Sequence, residues 1–333
     1  MRRYLVWLLA VMMAVVTAAC GGGAQEAPSA EETPAAQEAP AAEAPAAEEA
    51  AEQEAAPAVE ATVYPLKVTD ASGTELTFEK APEKIVSIAP SETEVLFAVG
   101  AGANVVGTDK YSDYPAETAN LPKVGGLTAD VEAILELEPD LVVAGWTMST
   151  QTIEELRSLG LTVYAFETNT LDEAIAHVRE IGKIVNKNAE AEAVAAKMEA
   201  DRQLVADAVA GIADADKKKV YIEFSPGWTV GKGEFMDELL TEAGAINVAD
   251  QEGWYEISEE KIIEANPQVI LYGAGVEGLA DMIKGRTGWD KIDAMVSGQV
   301  IGIDDSLISR PGPRITDALV QVAKAIYPEK FTE

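Results

Sequence analysis

The 333 residues carry a formal net charge of −32, with 57 Asp and Glu against 25 Lys and Arg, and include one cysteine and one histidine. So acidic a chain lacks the basic surface on which nucleic-acid binding depends, and it would be repelled by anionic lipid heads. One cysteine permits no internal disulfide, and one histidine excludes the multi-histidine zinc or manganese centre of a free-metal receptor.

Arg2 and Arg3 precede the apolar run Tyr4–Val16, the small residues Thr17, Ala18 and Ala19, and then Cys20. A basic head, an apolar segment shorter than the roughly 20 residues of a membrane span, and small residues before the end make a secretory signal. Its cysteine resembles that of a bacterial lipoprotein signal, which becomes the lipidated N-terminus. Residues 1–20 are therefore expected to be a signal peptide and Cys20 the lipid attachment point, holding the protein outside the cytoplasm on the cell membrane. Residues 21–61 are built almost wholly from Ala, Glu, Pro, Gln and Gly, with ten glutamates and no Lys or Arg. Such a segment buries too little apolar surface to offset its ordering entropy and reads as an extended, disordered acidic tether. Setting aside those ten glutamates and the two signal arginines takes the charge from −32 to −24 for the remainder, which suits solubility or a basic protein partner.

Leu66–Thr69 and Glu75–Phe78, joined across Gly73, predict a hairpin. Ile85–Ile88 is a buried strand, and Ser91 with Glu94 has the spacing of a capping box for a helix through Val99. Val105–Val106 is a further strand, followed by the aromatic loop Tyr111–Pro115. The segment VEAILELEPDLVVAG, Val131–Gly145, returns as EEKIIEANPQVILYG, Glu259–Gly273. The copies share Glu132/Glu260, Ile134/Ile262, Glu136/Glu264, Pro139/Pro267 and Gly145/Gly273. Each predicts an amphipathic helix stopped at a proline, whose preceding residue is biased toward extended geometry, and then a strand buried on both faces of a parallel sheet. Two copies of one unit imply two similar α/β lobes.

Val163–Phe166 closes the first lobe. Thr170 and Glu173 form a second capping box, opening a helix whose apolar stripe is Leu171, Ala174, Ile175, Val178, Ile181 and Val185. Helical sequence resumes from Ala189 to Ile212. In the second lobe Val220–Phe224 is a strand, Glu234–Ala243 a helix, Val300–Ile303 a late strand and Ile315–Ile326 the closing helix. The expected division is residues 62–169 for the N-terminal lobe, 170–188 for a connecting helix and 189–333 for the C-terminal lobe.

Motifs for covalent chemistry fail on context. Gly273–Gly278 spells G-x-G-x-x-G but lacks an acidic residue at the end of a second strand, and Gly227–Gly233 is one residue short of a P-loop. A surface-anchored hydrolase, the alternative from another class, needs a base; the one histidine, His177, sits in the connecting helix, where a solvated or capping role is expected. What remains is aromatic. Tyr111, Tyr114, Trp146 and Met148 fall at loops or strand ends of the first lobe, and Phe224, Trp228, Trp254 and Tyr255 at those of the second. Ligands of doubly wound lobes bind outside the carboxyl ends of the strands, so these residues suit a bulky or flat ligand between the lobes. The loop Arg310–Arg314 offers one arginine for structure and one for the cleft.

On the motifs KIVSIAPSETEVLFAVG (Lys84–Gly100), YSDYP (Tyr111–Pro115), VEAILELEPDLVVAG, GKGEFMDELL (Gly231–Leu240) and SRPGPR (Ser309–Arg314), the span Val63–Pro328 resembles the substrate-binding proteins of ABC importers for cobalamin, haem and ferric siderophores. The resemblance implies a class III periplasmic binding protein, with two Rossmann-like lobes joined by one long helix. It implies no catalysis and no cofactor. Its partners would be the permease subunits with their ATPase, and the lipid bilayer through the N-terminal lipid. One glutamate of each lobe would dock onto permease arginines, at the matching positions Glu132 and Glu260. The ligand-binding set it implies is Tyr111, Trp146, Phe224, Trp228, Trp254 and Arg310. Trp146 lies one place beyond a family tryptophan, and Leu127 stands where cobalamin binders can carry another. The scarcity of arginine around the cleft favours a corrinoid; ferric siderophores and haem are the alternatives, with Tyr111 as iron ligand in the haem case.

Overall fold

The computed structural model describes residues 59–331, so the signal segment, Cys20 and nearly all of the tether lie outside the described residues. The first lobe begins with the expected hairpin, β1 (Leu66–Thr69) and β2 (Glu75–Phe78). It continues as β3 (Ile85–Ser87), α1 (Pro90–Ala98), β4 (Val105–Thr108), α2 (Val131–Glu136), β5 (Leu141–Gly145), α3 (Trp146–Ser158) and β6 (Val163–Phe166). Two long helices follow, α4 (Leu171–Ile184) and α5 (Asn188–Val209). The second lobe holds β7 (Lys219–Glu223), β8 (Trp228–Val230), α6 (Phe235–Glu242), β9 (Ile246–Asn247), β10 (Trp254–Glu256), α7 (Glu259–Ala265), β11 (Val269–Gly273) and α8 (Leu279–Gly285). It ends with α9 (Asp293–Ser297), β12 (Val300–Ile303), α10 (Asp305–Ile308) and α11 (Ile315–Ile326).

Each lobe is built on a four-stranded parallel sheet, in the order β4-β3-β5-β6 and β9-β7-β11-β12. The two orders are the same once each lobe's strands are counted from its own first, and β5 and β11, the strands of the repeated unit, are equivalent. Both run through the middle of their sheets and are almost wholly buried, as their uninterrupted apolar sequence requires. The repeated helices end differently from expectation. Glu138 and Asn266, the residues before the prolines, take left-handed rather than extended geometry, with φ of 48° and 47°. Proline disfavours the right-handed helical region for its predecessor, and here the chain satisfies that bar by reversing φ, which turns it into the strand at once.

The lobes are joined by helices. α4 starts as its sequence indicates: Thr170 Oγ1 accepts from the Glu173 N–H, while the Glu173 carboxylate accepts from the Asn169 N–H, one residue earlier than in a standard box. α4 crosses α5 closely at Gly182, where any side chain would collide with Ala191. The alanine-rich face of α5 buries Ala191, Ala195 and Met198, and α5 packs on α4 and α1 at one end and on α11 along its side. One apolar cluster runs without a break from Val95 and Leu96 of the first lobe, through α4 and α5, to Leu239 and Leu319 of the second. Two smaller clusters cover the outer faces of the sheets. The chain enters this body at Glu60–Thr62, where Asn188 Nδ2 donates to the Glu60 carbonyl and Thr62 Oγ1 to the Lys183 carbonyl.

Candidate ligand cleft

The strand order of the first lobe reverses between β3 and β5, and at that point a cavity of about 280 Å³ opens outside the carboxyl ends of the strands. Ile88–Ser91 follow β3 into it, Asp109 and Tyr111 follow β4, Gly145 ends β5 with Met148 and Ser149 beyond it, and Phe166 ends β6 with Glu167 and Thr168 beyond it. Leu127 and Pro311, the latter from the second lobe, complete the wall. A second cavity shares Thr168 and Pro311 with the first, adds Asn169 beside Thr168, and is otherwise lined from the second lobe, by Phe235, Met236, Trp254 and Ile308 among others. The two together make an interlobe cleft. Thr168 stands at their junction, and its buried Oγ1 has no hydrogen-bond partner among the described residues.

Of the residues singled out in the first lobe, Tyr111 reaches the cavity and is 43% exposed. Trp146 does not. It is partly buried against the outer core, and Met148, 82% exposed, faces the cavity instead. The reason is local: Trp146 opens α3 and Met148 stands two places on, roughly 200° around the helix, so the two side chains point to opposite sides. Glu167 holds this first turn, accepting from the Thr147 N–H at 3.0 Å. Asp109 accepts from the Tyr111 N–H at 2.7 Å and from Ser112 Oγ at 2.5 Å, fixing the aromatic loop.

In the second lobe β8 and β10 form an antiparallel ribbon in which Trp228 faces Glu256 and Trp254 faces Val230. That register puts both tryptophans on one side of the ribbon, each 45% exposed. Phe224 packs on Trp254 with ring centroids 4.9 Å apart. Tyr255 turns the other way, into the lobe's own core.

Neither arginine of the Arg310–Arg314 loop is free for a ligand. Arg310 donates to Glu94 (3.1 Å), Asp113 (2.7 Å) and the Tyr111 carbonyl (3.3 Å), and Arg314 donates twice to Glu94 (2.8 and 2.6 Å) while lying over the Tyr114 ring. The hydrogen bond from Arg310 holds the Asp113 carboxyl below its ordinary range. Ser91 and Glu94 therefore form no capping box. The helix starts two residues earlier, with Pro90 at its first position and Ala89 as an uncharged cap, and Glu94 is rotated out of capping reach to become the buried centre of an interlobe clamp.

The sole histidine also differs from expectation. His177 is buried, with its ring stacked on Phe166 (5.2 Å) and Tyr164 (6.0 Å) and Nε2 2.7 Å from Oε1 of the fully buried Glu92. Burial opposes its protonation, but the Glu92 charge and hydrogen bond prevail and raise its pKa above the ordinary value. The stripe itself carried this signal, since His177 stands three residues after Ala174 and four before Ile181. The G-x-G-x-x-G segment binds its own chain: Asp305 accepts from the Gly275 N–H at 2.9 Å, so a carboxylate already sits where a phosphate would have to. The repeated glutamates Glu132 and Glu260 are exposed in the first turns of α2 and α7.

A model of the periplasmic binding protein family matches residues 85–307. The chain belongs to this family. It is 34% identical over 279 residues to an ABC transporter substrate-binding lipoprotein of Bacillus subtilis (strain 168), covering 81% of this chain and 88% of that one. It is 32% identical over 248 residues to a vitamin B12-binding protein of Vibrio cholerae, covering 72% and 87%. Among solved structures, the periplasmic haem-binding protein of Roseiflexus sp. RS-1 superposes with a TM-score of 0.67 at 28% identity, covering 74% of this chain and 99% of that one. The protein is thus a class III substrate-binding protein of an ABC transporter, of the group with cobalamin-, haem- and siderophore-binding members. The family is non-catalytic and works outside the cytoplasm with a permease and its ATPase, so the cleft is a receptor site and not an active site.

Proposed function

We propose that the protein is a lipid-anchored receptor that captures a corrinoid in the interlobe cleft and delivers it to its permease. The observation that carries this reading is the charge of the first-lobe cavity. Its walls are mainly apolar, its polar groups are Ser91, Asp109, Ser149, Glu167 and Thr168, and the nearest guanidinium groups are spent on Glu94 and Asp113. Carboxylates and hydroxyls accept hydrogen bonds from carboxamides, which a corrinoid carries around its rim. The same carboxylates repel haem propionates and anionic siderophores. Tyr111 and Met148 from one lobe, with Trp228, Trp254 and Phe224 from the other, supply the broad apolar contact a large ring needs. Arg310 acts by holding the cleft walls together. Haem is the second reading, favoured by Tyr111, whose ring lies 4.9 Å from the Lys110 ammonium.

Calorimetric titration with cyanocobalamin, haemin and ferric siderophores in parallel tests the proposal. Saturable one-to-one binding of cyanocobalamin alone is expected. Haemin binding that is lost in Tyr111→Phe would replace the corrinoid reading with the haem one. The lipid anchor is assigned to Cys20, so Cys20→Ser should move the protein from the membrane to the soluble fraction; unchanged membrane association would remove that part. For delivery, Glu132 and Glu260 are the docking carboxylates, one for each permease subunit, supported by their exposure at the same position of each lobe.

A further inference from the structure

Helices α2 and α7 are the same element of the two lobes. Each precedes the third strand of its sheet, and each starts on a capping side chain, Asp130 accepting from the Ala133 N–H and Ser258 from the Lys261 N–H. Each also leads to a left-handed residue and a proline. Ile134 and Ile262 turn inward and are buried. The opposite face presents Glu132, Leu135 and Glu136 in one lobe and Glu260, Ile263 and Glu264 in the other, all exposed. Residues three and four apart share a helix face, so in both lobes an aliphatic side chain is grouped with two carboxylates. Leu135 and Ile263 are each 38% exposed. The adjacent Glu138 and Glu259 find Lys84 and Arg286, whereas these four glutamates have no ion-pair partner among the described residues.

A single exposed leucine needs no explanation. Its recurrence does. The shared residues of the repeated unit are a buried isoleucine, a helix-stopping proline, a strand-end glycine and these two exposed glutamates. The exposed position between the glutamates, Leu135 in one lobe and Ile263 in the other, is aliphatic in both.

Resting on the docking reading above, we propose that Leu135 and Ile263 are a matched pair of apolar pins. They seat in two equivalent hydrophobic sockets, each ringed by basic side chains, on a partner made of two like subunits. The carboxylates beside each pin set the charge of the socket rim, and the net −24 of residues 61–333 brings the basic partner in from a distance. An apolar centre inside a charged rim is the arrangement in which rim charges govern encounter and salt dependence while the desolvated centre governs lifetime. The two contributions are therefore separable.

The test uses the full-length protein and its permease–ATPase complex reconstituted in nanodiscs, with affinity measured across a salt series. Leu135→Ser/Ile263→Ser should weaken the complex about ten-fold at every salt concentration and leave the salt slope intact. Glu132→Gln/Glu260→Gln should weaken it at low salt and flatten the slope. Leu135→Ile/Ile263→Leu should bind as the parent does, and unchanged melting temperature and ligand affinity in all variants exclude a folding defect. If the serine variant binds within two-fold of the parent while the glutamine variant is impaired, the pins are overturned and glutamate docking survives. If both bind normally, the docking reading falls and takes the pins with it.

Discussion

The two lobes have one strand order and opposite interiors at its reversal point. In the first lobe the ends of β3 and β5 part to leave a cavity. In the second, the loop after β11 is strapped to Asp305, and the loop after β7 continues into the β8–β10 ribbon that carries Trp228 and Trp254 outward. One lobe is a socket and the other its cover. The buried charges differ too: each lobe buries a carboxylate against an arginine, Asp70 against Arg157 in the first and Glu223 against Arg286 in the second, but among the described residues the first also buries Glu92 against His177, a partner that can lose its proton, beside the cleft residue Phe166. Duplication of a fold thus does not duplicate its chemistry. A ligand with no two-fold symmetry asks different things of the two lobes, whereas a two-subunit permease asks the same of both, and the features that match are the ones on the outward faces of α2 and α7.

The largest expected effect comes from the permanent charge. Arg286 donates to both oxygens of the fully buried Glu223 at 2.6 and 2.5 Å and lies over Trp289. Arg286→Met leaves that carboxylate uncompensated and should cost about 3–5 kcal/mol in urea unfolding. Adding Glu223→Gln should recover part of the loss, because the buried charge is then gone. A single variant as stable as the parent would show that the second lobe does not depend on its ion pair.

The interlobe clamp comes next. Glu94 is buried and accepts from both Arg310 and Arg314, whose guanidinium groups are partly exposed. Glu94→Gln keeps an acceptor but removes the charge, so about 2 kcal/mol is expected, less than for a fully buried pair. If socket and cover are held in place by this clamp, the variant should also lose ligand affinity without any change in the residues lining the cavity. Full affinity together with reduced stability would confine Glu94 to holding the fold.

The sequence made the lobes legible because a fifteen-residue repeat survives where a parallel strand must be buried on both faces. Ile315–Ile326 and Val163–Phe166 have the boundaries expected of them for the same reason: apolar period and burial agree. The cleft was legible only as far as strand ends mark it. Tyr111 follows from that rule, but the side on which the first turn of α3 meets the core decides whether Trp146 or Met148 faces the cleft, and no local pattern announces it. The spacing of Glu94 from Ser91 fits a cap, while the arginines that claim it lie more than two hundred residues away. Long-range charge partners of this kind leave no trace in a local window.

The smallest effect sharpens the contrast between the two buried pairs. The pKa of His177 is raised in the folded protein above its unfolded value near 6.5, so the folded state holds the proton more tightly. The stabilisation is fully present below that unfolded value and is lost as pH rises through the folded one. Stability should therefore decline with pH from about 6.5 upward, with a slope no steeper than about 1.4 kcal/mol per pH unit for one proton. The Glu223–Arg286 pair adds no such slope, since guanidinium keeps its charge throughout. Urea unfolding from pH 6 to 9 should show the decline in the parent and a flatter profile in His177→Gln, which retains a donor for Glu92 but cannot titrate. An equal slope in both would mean that the proton on His177 is not what the first lobe gives up, and that the two buried pairs are alike in behaviour as well as in burial.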